Sequence, residues 1–180
     1  MEKEVEKEKN IIILGEIMFE GEYLKGERNG KGKEYNYFGK LVFEGEYLNG
    51  KRNGKGKEYG FDKLEFEGEY LNGKRNGKGK EYFTNGNLKF EGEYLDGKKN
   101  GKVKEYYDNG KLEFEGEYLN GKKWNGKGYI KEEDKIDFEI QEGNWNVKEY
   151  YDNGKLEYEG EYLNGKKMEK EKNIIIIMVN

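Results

Sequence analysis

The strongest constraint on the fold is a pentapeptide, Phe-Glu-Gly-Glu-Tyr, that recurs at intervals of 23 or 24 residues. It begins at Phe19, Phe43, Phe66, Phe90 and Phe114. Self-similarity at such a period is typical of repeat proteins, in which each unit packs mainly against its neighbours. A version that begins with tyrosine follows 44 residues after the last of these, a gap long enough for two units. The chain is therefore predicted to be a repeat array rather than a globule with a thick core.

The long gap is predicted to hold a shortened sixth unit, at about 138–157, that lacks four residues around its first turn. Seven units would then occupy 17–167. Residues 1–16 are expected to be a charged segment with a short apolar capping strand, and 168–180 a charged, isoleucine-rich tail. Both end segments contain Glu-Lys-Glu-Lys-Asn-Ile-Ile-Ile. Because open sheet edges invite pairing, the isoleucine runs are expected either to cap the array within the chain or to pair between chains into a homodimer.

Each unit is predicted to be a β-hairpin. Between residues 64 and 70, apolar residues and a glycine alternate with glutamates, which indicates a strand with one apolar face. Asn-Gly pairs at 72–73 and 76–77 are predicted to bracket the turn, because this dipeptide accepts the positive φ of hairpin turns. The returning strand is predicted at 78–82. The expected fold is thus all-β: an elongated repeat solenoid of about seven antiparallel hairpins that form one continuous twisted sheet.

A glycine stands between the two aromatic residues of the repeated pentapeptide. A glycine inside a strand marks a bend or a place where another group lies close to the backbone. We therefore expect these glycines to have a structural role, because each either lets an aromatic ring lie over bare backbone or lets the sheet bend. The opposite face is expected to pair glutamate with lysine across strands. The structural glycines are Gly45, Gly68, Gly92, Gly116 and Gly160.

The composition excludes most catalytic chemistry. The chain has no His, Cys, Ser, Ala or Pro, so Ser and Cys triads, imidazole acid–base catalysis, Cys/His zinc sites and disulfides are all excluded. Glutamate pairs such as Glu67 and Glu69 recur in every regular unit, so none has the distinct environment that a glycosidase carboxylate needs. The sequence at 152–154 lacks the further oxygen ligands of a calcium loop. No catalytic, cofactor-binding or metal-ligating residue is predicted, and no cofactor.

The charges nearly cancel, since 34 basic and 38 acidic residues leave a net charge of −4. This balance gives no long-range attraction to nucleic acid, which is not an expected partner. Several basic residues could still form a strip for phospholipid headgroups, although Glu58 and Glu81 lie beside it. Phospholipid is therefore a less favoured partner than protein. The strip would comprise the lysines at 51, 55, 57, 74, 78 and 80 with Arg52 and Arg75.

No targeting segment is evident, and the isoleucine-rich run at 174–179 is too short to span a bilayer. The protein is therefore expected in the cytoplasm.

The aromatic columns supply the candidate interaction surface, which a partner protein would engage along several units. Trp124 and Trp145 break the regularity of the repeat around the shortened unit. In one interpretation, Trp124 extends the aromatic column and Trp145 fills the space left by the deletion. In the other, the shortened unit bends the sheet and creates a partner-binding groove. The candidate interaction residues are Tyr47, Tyr70, Tyr94, Tyr118, Trp124 and Trp145.

The repeat resembles the MORN (membrane occupation and recognition nexus) repeat. That motif has aromatic-x-Gly-x-aromatic followed by spaced glycines ending in Gly-x-Gly, as at 66–70, Gly73 and 77–79. Tyrosine stands where the family often has tryptophan, and Val103 replaces the last glycine in the fourth unit. The segment 107–112 is similar to the variant repeat of bacterial proteins labelled antitoxin-like.

The resemblance implies an elongated hairpin rod that acts as a scaffold, often as a homodimer, and that has been associated with phospholipids. The predicted function is a non-enzymatic scaffold or protein–protein interaction module. The alternatives are peripheral binding to phospholipid membranes and, third, an antitoxin-like role in which the chain neutralises a partner protein.

Overall fold

A computed structural model describes residues 6–7, 11–13, 16–132, 135–150, 156–163 and 166–167. These residues form β-strands and the turns between them, and none of their segments is a helix able to cross a membrane. The strands are β1 (Glu6–Lys7), β2 (Ile11–Ile13), β3 (Glu16–Leu24), β4 (Glu27–Tyr35), β5 (Leu41–Leu48), β6 (Lys51–Gly60), β7 (Lys63–Leu71), β8 (Lys74–Tyr82), β9 (Leu88–Leu95), β10 (Lys98–Tyr106), β11 (Leu112–Leu119), β12 (Lys122–Tyr129), β13 (Ile136–Gln141), β14 (Asn144–Tyr150), β15 (Leu156–Leu163) and β16 (Lys166–Lys167).

All described strands belong to one antiparallel sheet that does not close on itself. From β3 to β16 each strand pairs with the next one along the chain, so seven successive pairs form the hairpin array. The predicted fold class is therefore confirmed. Two short strands add to the expected count, since β1 and β2 both pair with β3. The N-terminal isoleucine run thus pairs within the chain, whereas the C-terminal run at 174–179 lies outside the described residues.

The hairpin turn uses the first Asn-Gly pair of the unit. Asn72 and Gly73 have φ of 50° and 86°, the positive values that a two-residue hairpin turn requires. The second pair does not flank the turn as predicted. It lies inside β8, where Gly77 has φ of 95° and the pairing register with β7 shifts, so it forms a β-bulge. The returning strand accordingly begins at Lys74 instead of residue 78.

The core is a single layer of aromatic rings on one face of the sheet. Phe66 is completely buried and contacts two tyrosines edge-on, Tyr70 of its own strand at 5.7 Å and Tyr94 of the next unit at 5.5 Å between ring centres. A Cβ atom added to Gly68 would lie 2.6 Å from the Phe66 ring and 2.8 Å from the Gly79 Cα. The glycines therefore let each phenylalanine lie flat against two backbones. The fully buried rings are Phe19, Phe43, Phe66, Phe90 and Phe114.

The shortened sixth unit changes the lateral register of the sheet. Gly116 pairs with Gly126, and Gly126 pairs with Ile140, which holds the place of the repeated glycine in β13. In β14, however, Val147 pairs with Phe138 and with Gly160 of the next unit. Gly160 of the last unit therefore lies level with Phe138. In the earlier units the repeated glycines lie level with one another, so the register has moved by two residues. The deletion inferred from the sequence shortens the hairpin and displaces the strands that follow.

Candidate functional site

The structure places the four candidate tyrosines inside the aromatic layer, where a partner could not contact them. Their exposed fractions are between 4% and 9%. Each hydroxyl donates a hydrogen bond to a glutamate of the preceding hairpin, as Tyr70 does to Glu58 at 2.6 Å. These tyrosines are therefore core residues that link neighbouring units, and the prediction that a partner contacts them is wrong. The other donors and acceptors are Tyr47 with Glu34, Tyr94 with Glu81 and Tyr118 with Glu105, at 2.7–2.9 Å.

A row of cations covers the phenylalanine rings and seals this face. The Arg75 guanidinium lies 3.9 Å from the centre of the Phe66 ring and pairs with Glu81 at 3.1 Å and with Glu58. Arg52 likewise lies 3.9 Å from the Phe43 ring centre and binds Glu58 at 3.5 Å and Glu34 at 2.7 Å. We call this alternation of cations and glutamates the charge ladder. It comprises Arg28, Glu34, Arg52, Glu58, Arg75, Glu81, Lys99, Glu105 and Lys123.

The charge ladder was missed because the turn was misplaced. With the second Asn-Gly pair taken as the end of the turn, Arg75 was assigned to an exposed basic strip. Strand alternation counted backwards from the buried Gly79 would have placed Arg75 on the aromatic face, together with Glu81. Arg52 and Arg75 therefore do not belong to a surface strip that could bind headgroups, because their charges are already paired.

Three of the ladder glutamates are held in their ionised form. Burial by itself raises the pKa of Glu58, but hydrogen bonds from Arg75 and Tyr70 and the charges of the two arginines outweigh it, so its pKa lies below the usual value. The same balance, with Arg52 and Tyr47 as donors, lowers the pKa of Glu34. For Glu105 the cations that outweigh burial are Lys123 and Lys99, and its pKa is also lowered.

The opposite face is an open groove of about 1050 Å³ that crosses the strands from β3 to β10. Its walls are glutamates and lysines, and its floor is glycine backbone. Neighbouring strands alternate in charge: Glu67 lies between Lys57 and Lys80, and Lys80 lies between Glu67 and Glu91. A second row alternates in the same way, with Lys55 opposite Glu69 and Lys78 opposite Glu93. Four lysines of the expected basic strip therefore lie in a mixed-charge groove: Lys55, Lys57, Lys78 and Lys80.

Two rows of less polar side chains border this groove. On one side, tyrosine hydroxyls bind the groove glutamates, as Tyr82 does to Glu67 at 2.7 Å. Burial and the bond to Glu67 raise the pKa of Tyr82 to about 12. On the other side, half-exposed leucines precede the hairpin turns, and strand alternation puts them on the groove side. The tyrosines are Tyr35, Tyr59, Tyr82, Tyr106 and Tyr129, and the leucines are Leu48, Leu71, Leu95 and Leu119.

Trp124 does not extend the aromatic column. It is an extra residue between Lys123, which pairs with Tyr118, and the next paired residue, so it sits in a bulge. Its side chain is 37% exposed and lies near Gly143, whose amide donates to the Trp124 carbonyl at 2.8 Å. Phe138 continues the column instead, because its ring stacks on the Phe114 ring with 6.4 Å between the ring centres. The backbone of Trp145 pairs with β13 and β15, but its side chain lies outside the described residues, so its space-filling role stays a prediction.

Four of the five structural glycines lie where another strand approaches closely. A Cβ atom at Gly45 would lie 2.7 Å from the Gly56 Cα, and one at Gly116 would lie 2.6 Å from the Gly126 Cα. At Gly92 the nearest atom would be the Val103 Cγ1, at 2.7 Å. Gly160 is buried and pairs with Val147. Gly68 has the same surroundings as Gly45, as described above.

The described residues of the groove repeat one arrangement of glutamates, lysines and glycines from unit to unit. No group of three or more Asp and Glu side chains among them is arranged to hold a metal ion. The groove repeats one environment from unit to unit, so it offers many equivalent contacts. Its surface is mixed in charge and partly apolar.

Two protein-family models match stretches of this chain that contain the repeated hairpins. The model of the MORN repeat matches residues 19–36, 43–63 and 66–88. The model of the MORN repeat variant matches residues 99–120 and 146–170. Together these stretches cover more than half of the chain, and the change of model falls where the sequence at 107–112 resembles the variant. A search of curated proteins finds no match. Repeats of this kind are consistent with a protein-binding or membrane-associated module.

Proposed function

Because the chain belongs to the MORN-repeat family, we propose that it is a non-enzymatic scaffold that binds protein partners along the groove. The observation that carries this proposal is the contrast between the two faces. The aromatic face has its rings buried and its charges paired. The groove presents unburied glutamates and lysines over a length of eight strands, and half-exposed leucines border it.

The charge pattern favours protein over a polyanion. The sign of the charge changes at every strand, so one positive and one negative position recur about every 9.6 Å along the array. A nucleic acid or an anionic bilayer would meet a glutamate at every second strand. A polypeptide that carries both signs, with apolar side chains for the leucine row, matches the groove better. Many weak, equivalent contacts along one partner would add up by avidity.

The other two candidate functions relate to this surface in different ways. Headgroup binding by the basic strip loses support, because two of its members belong to the charge ladder and the groove lysines lie beside glutamates. An antitoxin-like role would be a special case of groove binding in which the partner is a toxin. We therefore keep protein binding as the proposal and treat the identity of the partner as the experimental question.

The test reverses charge inside the groove and, in a matched control, outside it. The groove variant is Lys57→Glu with Lys80→Glu, and the control is Lys25→Glu with Lys111→Glu, two exposed lysines in connections between strands that do not line the groove. Tagged proteins would be used to capture partners from native extract, followed by lysine cross-linking and mass spectrometry. We expect partners shared by the wild type and the control, absent from the groove variant, and cross-linked to groove lysines such as Lys55. Equal capture by all three proteins would contradict the proposal.

A further inference from the structure

Each strand that crosses the groove contributes one band of like charge. In β7 the band is Glu67 and Glu69, on either side of the Gly68 backbone, and in β8 it is Lys78 and Lys80. The other strands from β3 to β9 contribute pairs of the same kind. Both walls of the groove therefore have the same sign at any one strand, and the sign changes at the next strand. We call these pairs the charge bands.

The acidic and basic bands differ in how far their charges are already bound. Glu67 accepts the Tyr82 hydroxyl at 2.7 Å and Glu44 accepts the Tyr59 hydroxyl at 2.6 Å, so these carboxylates are held at the wall. The groove lysines are exposed, and no ion pair or hydrogen bond within the described part of the chain engages their ammonium groups. The basic bands are therefore available to the carboxylates of a ligand.

The groove is narrow at its base. Its walls stand two residues apart on each strand, about 7 Å, because a strand advances about 3.4 Å per residue. An α-helix with its side chains is about 10–12 Å wide, so it would rest on the tips of the walls above the glycine floor. An extended chain is thinner and fits between the walls, with its backbone above Gly45, Gly68 and Gly92.

The spacing of the charge bands favours one extended conformation. Bands of the same sign recur at every second strand, about 9.6 Å apart. A polyproline II helix advances about 3.1 Å per residue with three residues per turn, so one turn covers about 9.3 Å and nearly matches one repeat unit. A β-strand places the side chains of one face about 6.7 Å apart, out of step with the bands. A seven-residue repeat of an α-helix advances about 10.5 Å and drifts by about 0.9 Å in each unit.

We propose that the groove binds a polyproline II segment of a partner protein in which one acidic and one basic residue recur every three positions. This inference rests on the proposed function and specifies the conformation and charge order of the partner segment. Its acidic residues meet the lysine bands, its basic residues meet the glutamate bands, and the third residue of each turn faces away from the floor. The groove crosses eight strands, about 34 Å, so it holds about 11 residues, or close to four turns.

The experiment measures binding of labelled synthetic peptides to the purified protein by fluorescence anisotropy at about 0.05 M salt, where surface charges are weakly screened. The test peptide is four copies of Glu-Lys-Pro, in which proline favours the polyproline II conformation. The matched control is two copies of Glu-Lys-Pro-Lys-Glu-Pro, which has the same length and composition but inverts the charge order in every second turn. We expect the control to bind at least about tenfold more weakly, because half of its turns meet bands of like charge.

Three further peptides test the length and the conformation of the bound segment. Two copies of Glu-Lys-Pro should bind at least about tenfold more weakly than four, and six copies no more than about threefold more tightly, because four turns fill the groove. Three copies of Glu-Glu-Glu-Glu-Lys-Lys-Lys-Lys favour a helix of about 36 Å with the same two kinds of charge. This helical peptide should bind at least about tenfold more weakly than the test peptide.

Variants of the chain test whether the peptide lies in the groove. Lys57→Glu with Lys80→Glu makes every band from β5 to β9 acidic along one wall, so it should weaken the test peptide at least about tenfold. The control variant, Lys25→Glu with Lys111→Glu, changes the net charge equally outside the groove and should bind the test peptide like the wild type.

Four results would overturn the inference: no binding of the test peptide, equal binding of its charge-inverted control, tighter binding of the helical peptide, or equal binding by both chain variants. The capture experiment tests the proposed function separately. Partners whose capture needs the groove lysines but which the test peptide does not displace would refute the polyproline II segment and leave groove binding intact. Capture that does not depend on the groove lysines would contradict the proposed function, whatever the peptides do.

Discussion

The two faces of this sheet are made from the same few residue types, yet they differ in almost every physical property. Glu58 on the aromatic face binds Arg52, Arg75 and Tyr70 over a layer of buried rings. Glu67 on the groove face also accepts a tyrosine hydroxyl, but it borders an open groove between two lysines. The difference teaches that residue type does not distinguish structural from binding positions in this chain; the face of the strand does.

The contrast between the faces also indicates which positions of the repeat tolerate substitution and which do not. On the aromatic face each ring touches the neighbouring unit, so a change in one unit affects the packing of the next. On the groove face, side chains border solvent and can change with less effect on packing. We therefore expect the free energy of unfolding to depend on the aromatic face and partner binding to depend on the groove.

The largest expected effect on stability comes from removing a buried ring. Phe66→Ala should lower the free energy of unfolding by about 3–5 kcal/mol, because it empties a fully buried site and removes the surface on which Arg75 stacks. Leu71→Ala, a half-exposed residue on the groove side, should cost less than about 1 kcal/mol. Denaturant unfolding of both variants measures the difference, and similar losses would contradict the assignment of the core to one face.

A somewhat smaller effect is expected from filling the space over a glycine. Gly92→Val should destabilise the protein by about 1–3 kcal/mol, since its Cβ would lie 2.7 Å from Val103 Cγ1 and 3.0 Å from the Phe90 ring. The measurement is again a shift in the denaturant midpoint. An unchanged midpoint would mean that the aromatic layer has room for a side chain at this position.

The charge ladder should make stability sensitive to acid. The pKa values of Glu34, Glu58 and Glu105 are lowered in the folded state, so the unfolded chain takes up protons first as the pH falls. Their contribution to stability is therefore present above about pH 4.5 and is lost as the pH falls through the lowered pKa values. Unfolding midpoints measured from neutral pH to about pH 3 should show this decline. Replacing all three by glutamine should flatten it, and an equal slope in that variant would refute the role of the ladder.

The smallest effect is expected for a single glutamate in the groove. Glu91→Gln should change the free energy of unfolding by no more than about 0.5 kcal/mol, because the amide oxygen can still accept the Tyr106 hydroxyl that Glu91 binds at 2.8 Å. The same substitution at Glu58 should cost about 1–2 kcal/mol, since it weakens charged hydrogen bonds to two arginines. A larger loss at position 91 than at position 58 would mean that the faces are assigned backwards.

The sequence predicted the hairpin array and the aromatic face because both depend on local patterns. Alternation between 64 and 70 placed Phe66 and Tyr70 on one side, and the structure buries both. The bulge at Gly77 was not predicted, because an Asn-Gly pair suits a turn and a bulge equally well. That one error moved Arg75 from the core face to a supposed surface strip. The burial of the tyrosines was also missed, because it depends on contacts with the neighbouring units.

By itself, the sequence determined the number of units, the strand and turn character of each, and the absence of Ser, His and Cys chemistry. These properties follow from spacing and composition, which do not require knowledge of distant contacts. Only the tertiary structure decided that Tyr70 binds Glu58 of the preceding hairpin and that Arg75 joins Glu58 to Glu81. Such pairs depend on the lateral register between strands. That register is set by the bulges and by which glycines meet across neighbouring strands, and the pattern within one unit specifies neither.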